Sequence, residues 1–381
     1  IDYLKLRASY GLTGNHSFGG QQFMFNQYYV WKGSYYLGSS NSSVDRYEMG
    51  SLANPDVTWE KEKQTNIGLD ATLFKGLDIS VDYYIRNRYD ILSKPYSTVP
   101  DFLGINLPDM NVGKVRNTGF ETALRYNTTS KKGVNYFIGA NISFTRNEVT
   151  YNAEAPQVYD YLYSTGHRIN QPFAFEAIGF FKDQADIDRS PKQVFDEVVP
   201  GDIKYKDQNG DGIIDNNDKK AFGYTQSPEW SFGLHGGFNY KGFDLDIMFH
   251  GVANRTVYWE GKRFQAFQNS GKISEVALKR WTPETAETAT YPRLSTDGNQ
   301  NNYQYSTFWQ KNGNFLKLRN LEFGYTLPER LTNKIKLEKL RVFANATNLF
   351  SLDHMEGQVD PETLYGHPAI RTFSLGLNLQ F

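Results

Sequence analysis

The sequence predicts an all-β protein, an antiparallel transmembrane β-barrel, and three observations carry that reading. The last ten residues alternate strictly. Phe373, Leu375, Leu377, Leu379 and Phe381 fall on one face, and Thr372, Ser374, Gly376, Asn378 and Gln380 on the other. Short turns alternate with long loops along the whole chain, an asymmetry that compact soluble domains avoid and membrane barrels show. Finally, the chain is rich in aromatics (15%) and polar on average, with a mean hydropathy of -0.59. No run of roughly 18 uncharged apolar residues exists to form a membrane helix. Strands that alternate lipid-facing and lumen-facing side chains average to just such moderate polarity.

The pattern of the terminal strand recurs upstream. Ile67, Leu69, Ala71 and Leu73 oppose Asn66, Gly68, Asp70 and Thr72, and a Lys75-Gly76 turn leads into Leu77, Ile79, Val81 and Tyr83. Phe232, Leu234, Phe238 and Tyr240 pass through Lys241-Gly242 into Phe243, Leu245, Ile247 and Phe249. Very short glycine turns between alternating runs are hairpin signals. A third hairpin joins 120–126 to 136–144 through the polar 127–133 turn. The spacing predicts about ten membrane-length strands, near 4–13, 57–73, 77–92, 114–126, 135–149, 228–240, 243–257, 314–327, 339–349 and 370–381. With the last strand descending to the periplasm, every short turn falls on the periplasmic side. The long connections 14–56, 93–113, 150–228, 258–313 and 351–368 then all fall outside. One strand is out of phase: Leu316 and Leu318 precede Leu321, Phe323, Tyr325 and Leu327 in the opposite register, which predicts a bulge near Asn320.

Composition removes several function classes. Lys+Arg 41 against Asp+Glu 42 leaves a net charge of -1, so no general field draws nucleic acid. Without cysteine there is neither a disulfide framework nor a thiolate metal site. No nucleophile elbow, phosphate-cradling loop or paired-carboxylate signature is present. The chain opens without Met or signal peptide on Ile1-Asp2-Tyr3, already strand-like, and is expected to begin partway through a longer protein.

Several stretches together resemble the SusC/RagA family of TonB-dependent outer-membrane transporters. They are Tyr3-Leu-Lys-Leu-Arg-Ala-Ser-Tyr-Gly-Leu-Thr-Gly-Asn15, Asn54-Pro-Asp-Val-Thr-Trp-Glu60, Gly201-Asp-Ile-Lys-Tyr-Lys-Asp207 and Ser227-Pro-Glu-Trp-Ser-Phe-Gly233. Phe315-Leu-Lys-Leu-Arg-Asn-Leu-Glu-Phe-Gly-Tyr325 and Arg341-Val-Phe-Ala-Asn-Ala-Thr-Asn-Leu-Phe350 complete the set. The resemblance implies that 1–381 is the C-terminal part of a plugged barrel of about 22 strands, with the plug and earlier strands absent. It implies coupling to TonB and a SusD-like surface lipoprotein as partner. It also implies oligosaccharide or peptide cargo and insertion by the barrel-assembly machinery into outer-membrane lipid. The terminal Phe381 looks like the assembly signal of such barrels. A half-buried strand of a soluble sandwich is the other reading of that segment.

Within the 150–228 insertion, Asp207-Gln-Asn-Gly-Asp-Gly-Ile-Ile-Asp-Asn-Asn-Asp218 has EF-hand spacing. Asp207, Asn209, Asp211, Asp215 and Asp218 offer side-chain oxygens, Ile213 a carbonyl, and Gly212 sits at the sharp turn. This predicts a structural Ca²⁺, with Mg²⁺ tolerated because Asp218 reaches less far than Glu. A merely solvated acidic turn is the alternative. Trp31, Tyr35, Tyr36, Trp259, Phe264, Tyr303, Tyr305 and Trp309, with Asn299, Gln300, Asn301 and Asn302 beside them, are candidates for cargo contact. Sugar faces stack on aromatic rings, and amides bond hydroxyls. Interfacial girdle or loop packing explains the same residues. His235, His250, Asp244 and Asp246 lie on one face of one hairpin and read better as a polar lumenal wall than as a catalytic or metal site. An active importer is thus the leading expectation. The alternatives are a barrel adhesin or enzyme without TonB coupling, and a soluble carbohydrate-binding β-protein.

Overall fold

The computed structural model describes residues 1–17, 23–39, 41–95, 104, 107–296 and 298–381. Much of the 93–113 connection and part of 14–56 lie outside these residues.

A 10-stranded antiparallel sheet dominates, with its strands in strict chain order. They are β1 (Tyr3–Asn15), β2 (Glu60–Leu73), β3 (Leu77–Ser93), β4 (Met110–Thr129), β5 (Asn135–Tyr151), β6 (Trp230–Tyr240), β7 (Phe243–Ala253), β8 (Phe315–Thr326), β9 (Lys339–Asp353) and β10 (Thr372–Gln380). Each expected strand is present. Several run longer than the alternation indicated; β4 spans 20 residues, well beyond the roughly 9–11 that cross a bilayer.

Register carries the alternation from strand to strand. Leu6 pairs with Leu69, Leu69 with Val81, Val81 with Thr122, Thr122 with Ile142 and Ile142 with Phe232, an unbroken row on the apolar face. The opposite face is polar and internally paired. Arg7 donates to Asp70 (2.8 Å) and Asp82 (2.7 Å), and Arg341 joins Asp244 and Glu322. A one-residue slip would exchange the two faces everywhere, so this patterning fixes the register.

The phase break in β8 is a bulge at Arg319. Leu318 opposes Phe249 and Phe350, whereas Asn320 opposes Met248 and Thr347, so Arg319 is skipped on both sides. The extra residue returns Leu321, Phe323 and Tyr325 to the apolar face.

The two glycine turns differ in mechanism. Between Tyr240 and Phe243, Lys241 (φ 50°) and Gly242 (φ 87°) are both left-handed, the requirement of a two-residue type I′ hairpin. In the other turn the left-handed residues are Phe74 (φ 54°) and Lys75 (φ 56°). Gly76 is needed there for space: a Cβ would lie 2.6 Å from the Asn127 carbonyl oxygen, to which its backbone is packed.

At the long-loop end, the connections β5–β6, β7–β8 and β9–β10 fold into one body with its own core. Its small sheets pair Phe173–Ala174 with Lys220–Ala221, Ala177–Phe180 with Ile203–Tyr205, Lys192–Gln193 with Ile213–Ile214, and Thr256–Tyr258 with Gln310–Asn312. Phe175, Ile203, Tyr205, Ile214, Phe264 and Trp309 are buried at its centre. The β1–β2 connection instead forms a separate hairpin, Tyr29–Leu37 with Ser42–Met49.

Candidate functional site

The long-loop body is held by a buried polar network built on Asp202. Asn299 and Asn302 donate to Asp202 Oδ1 (2.8 and 2.9 Å), and Arg293 closes an ion pair at 2.7 Å. The Asn302 oxygen accepts from the Ile203 amide, and its neighbour Asn301 donates to the Ile203 carbonyl. Gln193 donates to Asn301 Oδ1 and accepts from the Tyr205 amide. Every partner of Asp202 is thus a donor, as a fully buried carboxylate requires. Asn299, Asn301 and Asn302 therefore spend their side-chain hydrogen bonds inside the protein, stapling 193–205 to 299–309, while Gln300 stays exposed.

The aromatic candidates separate into three groups. Trp259 and Trp309 are core: Trp259 stacks on Phe264 at 4.5 Å, and the Trp309 indole donates to the Asn302 carbonyl at 2.8 Å. Like Asn301 they are buried, and both indoles border a cavity of the long-loop body. Tyr303 is partly buried, its hydroxyl given to the Ala266 carbonyl. Tyr305 stacks on Tyr258 with ring centroids 3.8 Å apart, and its own hydroxyl makes no hydrogen bond to a described residue. Trp31, Tyr35 and Tyr36 are exposed on the separate hairpin, where the Trp31 indole donates to Asp45.

The 207–218 loop adopts a tight turn built on its own acceptors. Asp207 accepts from the amides of Gly210 (2.6 Å) and Gly212 (2.9 Å), Asn209 from Asp211, and Asp211 from Ile213. Gly210 and Gly212 take φ of 78° and 84°, which explains the glycine at each position. Ile214 is buried, and Asp215 caps the short 3₁₀ turn Asn216–Asp218. Asp218 is buried, and its two carboxylate oxygens accept from the Gln208 and Asp215 amides. Burial pushes its carboxyl up from the usual range, partly offset by those bonds. Among the described residues no three acidic or histidine side chains converge as a metal cluster.

The His and Asp residues of the β6–β7 hairpin also disperse. His235 pairs with Asp246 at 2.9 Å, Asp244 is taken by Arg341, and the His250 ring lies against Phe315. They form part of the polar wall. Phe381 follows β10 and continues its apolar row with the exposed Leu375, Leu377 and Leu379.

Two joints went unread in the sequence. Glu229, at the entry to β6, accepts from Arg146 (2.8 and 2.7 Å), Arg168 (2.6 Å) and Asn254 (2.9 Å). Burial alone would raise its carboxyl, but these donors prevail and hold it at about 2. Lys317, on the polar face of β8, is buried against Asp360 (2.8 Å) and Glu362 (3.3 Å), tying down the β9–β10 connection. Neither role is visible until distant segments are brought together. The available signals were the Ser-Pro-Glu-Trp wording around Glu229 and the Leu-Lys-Leu-Arg wording around Lys317.

Comparison with known proteins agrees with this architecture. The family described as TonB dependent receptor-like, beta-barrel matches residues 1–349. The chain is 25% identical to TonB-dependent receptor P3 of Formosa agariphila, over 99% of this chain and 39% of that protein. It is 27% identical to TonB-dependent receptor SusC of Bacteroides thetaiotaomicron, over 99% of this chain and 37% of that one. The chain thus spans about two fifths of the length of the curated relatives it matches. The RagAB peptide importer in its open-open state shares the fold, with a TM-score of 0.74 at 23% identity over 99% of this chain and 40% of that one. The exposed apolar rows of β1–β10 are accordingly the lipid face of an outer-membrane barrel, and the ion-paired face is its lumen. The chain belongs to the TonB-dependent receptor β-barrel family and is of the SusC/RagA type.

Proposed function

We propose that the protein containing this chain is an active importer of oligosaccharides or peptides, energised through TonB and working with a SusD-like surface lipoprotein. The observation that carries this reading is the pairing of an ordered barrel wall with a large folded body at its long-loop end. An adhesin needs no polar, ion-paired lumen. An enzyme needs a convergent catalytic group, and the candidate His and Asp residues are dispersed. Family relatives named as TonB-dependent receptors, and a fold shared with a peptide importer, support the same conclusion. The short turns at Lys75-Gly76 and Lys241-Gly242 then face the periplasm, and the long-loop body faces the medium.

The test is uptake of a labelled oligosaccharide pool and a labelled peptide pool by intact cells, with and without TonB. Uptake of one pool that stops on TonB deletion or protonophore treatment is expected. Uptake insensitive to both, or none of either pool, overturns the reading.

We also propose that the 207–218 loop holds Ca²⁺. The donors fit a hard cation in type, and the turn around Gly210 and Gly212 places them along one tight path. Asp207, Asn209, Asp211, Asp215, Asp218 and the Ile213 carbonyl would hold it. When bound, the ion offsets the repulsion of neighbouring carboxylates and stiffens the loop. Mg²⁺ would serve less well, given its demand for near-ideal octahedral geometry.

A further inference from the structure

A cavity of about 590 Å³ in the long-loop body is bordered by Trp259 and Trp309 but carries charge: Glu275, Lys279, Lys311 and Glu356 also line it. A second, of about 570 Å³, lies where the body meets the wall between β5 and β7, and it differs in kind. Of the described residues that line it, none is Asp, Glu, Lys, Arg or His. Its size falls within the about 300–1,000 Å³ of small-molecule sites.

The lining combines an aromatic floor with unspent neutral polar groups. Tyr258 and Tyr305 stack at 3.8 Å with 18° between their planes. The Tyr258 hydroxyl is fixed, accepting from the Ser306 amide (2.8 Å) and donating to the Gln304 carbonyl (3.1 Å). The Tyr305 hydroxyl and the side chains of Asn170, Gln226 and Ser227 make no hydrogen bond to any described residue; the last three are solvent-exposed. Asn147 accepts from the Ile169 amide (2.7 Å), which leaves its amide nitrogen to donate. Burial, then the nearby Glu260, raise the Tyr305 phenol, so it remains a donor at neutral pH.

Position adds a second argument. Asn147 lies in the register of Asn141, Ser143 and Thr145, on the polar face of β5, so the cavity opens toward the lumen at its long-loop end. It shares Asn147 and Ile169 with a neighbouring space of about 410 Å³ lined by Glu62, Arg86 and Arg88. The absence of charge is therefore local and not a property of the whole wall.

Charged termini or side chains placed here would lose hydration without compensation, whereas hydroxyls meet free amides and hydroxyls, and a ring's C–H face meets a flat aromatic floor. We propose that this cavity is a binding site for one unit of an uncharged saccharide at the mouth of the barrel. The proposal rests on the importer reading and narrows its cargo.

Calorimetric titration of the purified full-length transporter tests it, with maltohexaose, xylohexaose, mannohexaose, hexagalacturonate and a capped neutral hexapeptide as probes. The variants are the double substitution Gln226→Ala with Ser227→Ala, which removes exposed, unbonded groups, and Tyr305→Ala. Heat-modifiable migration controls for folding. A neutral hexasaccharide should bind and hexagalacturonate should not, and each variant should weaken that binding at least about tenfold. Preference for hexagalacturonate or the peptide, failure of all the neutral sugars, or neutral-sugar binding unchanged by the variants overturns the site. TonB-dependent uptake of peptide alongside any of those results would leave the importer reading standing and remove only this site.

Discussion

The barrel wall and the body above it are covalently continuous but bury their side chains in opposite directions. On the wall, Leu6, Leu375 and Leu377 point outward, with Leu375 87% exposed, and the polar side chains turn in. In the body, Phe175 and Asn301 are fully buried and Trp309 is 2% exposed. The solvent explains the inversion. A strand in lipid must satisfy its backbone through neighbouring strands while its apolar side chains face hydrocarbon. A body in water must hide those side chains and pair each polar group that goes with them. An identical residue, an aromatic or an Asn, therefore means different things on the two sides of the rim.

The comparison breaks most completely if the wall tolerates charge. Leu377→Arg together with Leu379→Arg places two cations on the lipid face of β10, the cost per cation running from about 2–4 kcal/mol at the midplane to about 1 near the interface. Deleting Phe381 removes the end of the same row. Either change should abolish heat-modifiable protein in the outer membrane, read by gel shift of membrane fractions. Wild-type levels would mean the row does not face lipid. A companion labelling experiment sharpens the orientation: a cysteine at Asn216 should react with an impermeant reagent on intact cells, and one at Lys241 should not.

A substitution in the body should have a large but local effect. Trp309→Ala removes a buried indole, its contacts with Tyr291 and Phe308, and its bond to Asn302. A loss of about 3–5 kcal/mol is expected within the body. Limited proteolysis should then cut within 258–313 while heat-modifiability stays normal. Loss of the barrel together with the body would show that the two are one cooperative unit.

This division also explains what could be read in advance. Alternation is local, so the strands and even a bulge near Asn320 followed from spacing alone, whereas the pairing register and the site of the bulge, at Arg319, needed the neighbouring strands. The signal was Leu318 and Leu321 lying out of phase. The loop aromatics carry no such periodicity. Trp259, Trp309 and Asn301 look in sequence like a cargo surface, because aromatics beside amides build both binding sites and polar-stapled cores. Only the approach of Asp202 to Asn299 and of Gln193 to Asn301, about a hundred positions away, shows these amides stapled into the core. Tyr305 sits in the same run as Tyr303, yet its stacking on Tyr258 leaves its hydroxyl free. Nothing in the local wording distinguishes the two tyrosines.

The joint between wall and body should respond to pH with a definite sign. Glu229 is held at about 2 against an ordinary 4.5. A depressed folded pKa contributes stability that is present above the unfolded value and lost as pH falls toward the folded one. The contribution is on the order of 3 kcal/mol for this buried group. Docking of the 152–228 segment should thus hold at pH 6 and weaken progressively from about pH 4.5 to 2. Glu229→Gln should abolish that dependence and leave Arg146 and Arg168 without their shared partner at every pH. Protease susceptibility of 152–228 measures both. An identical acid profile in the variant would assign the transition to other carboxyls, such as Asp360 or Glu362, whose pKa values are also lowered.

The smallest effect is expected at the acidic loop, where the body meets its solvent most directly. Two accounts of 207–218 predict different responses to the same change. If the carboxylates serve only as acceptors for the turn, Asp211→Asn should be nearly silent, because an amide oxygen can still accept from Ile213. If they hold a cation, the same substitution removes a charge from the ligand set and weakens binding. Wild-type protein in about 1 mM calcium should then resist cleavage within 206–219 several-fold better than protein in chelator. Asp211→Asn should erase most of that difference, whereas transport persists in both. Asp218 differs from Asp211 because, besides belonging to the ligand set, its oxygens accept from the Gln208 and Asp215 amides, so Asp218→Ala should open the loop with or without calcium. Equal cleavage of the wild type in calcium and chelator would end the metal reading and leave the loop as a turn capped by its own side chains.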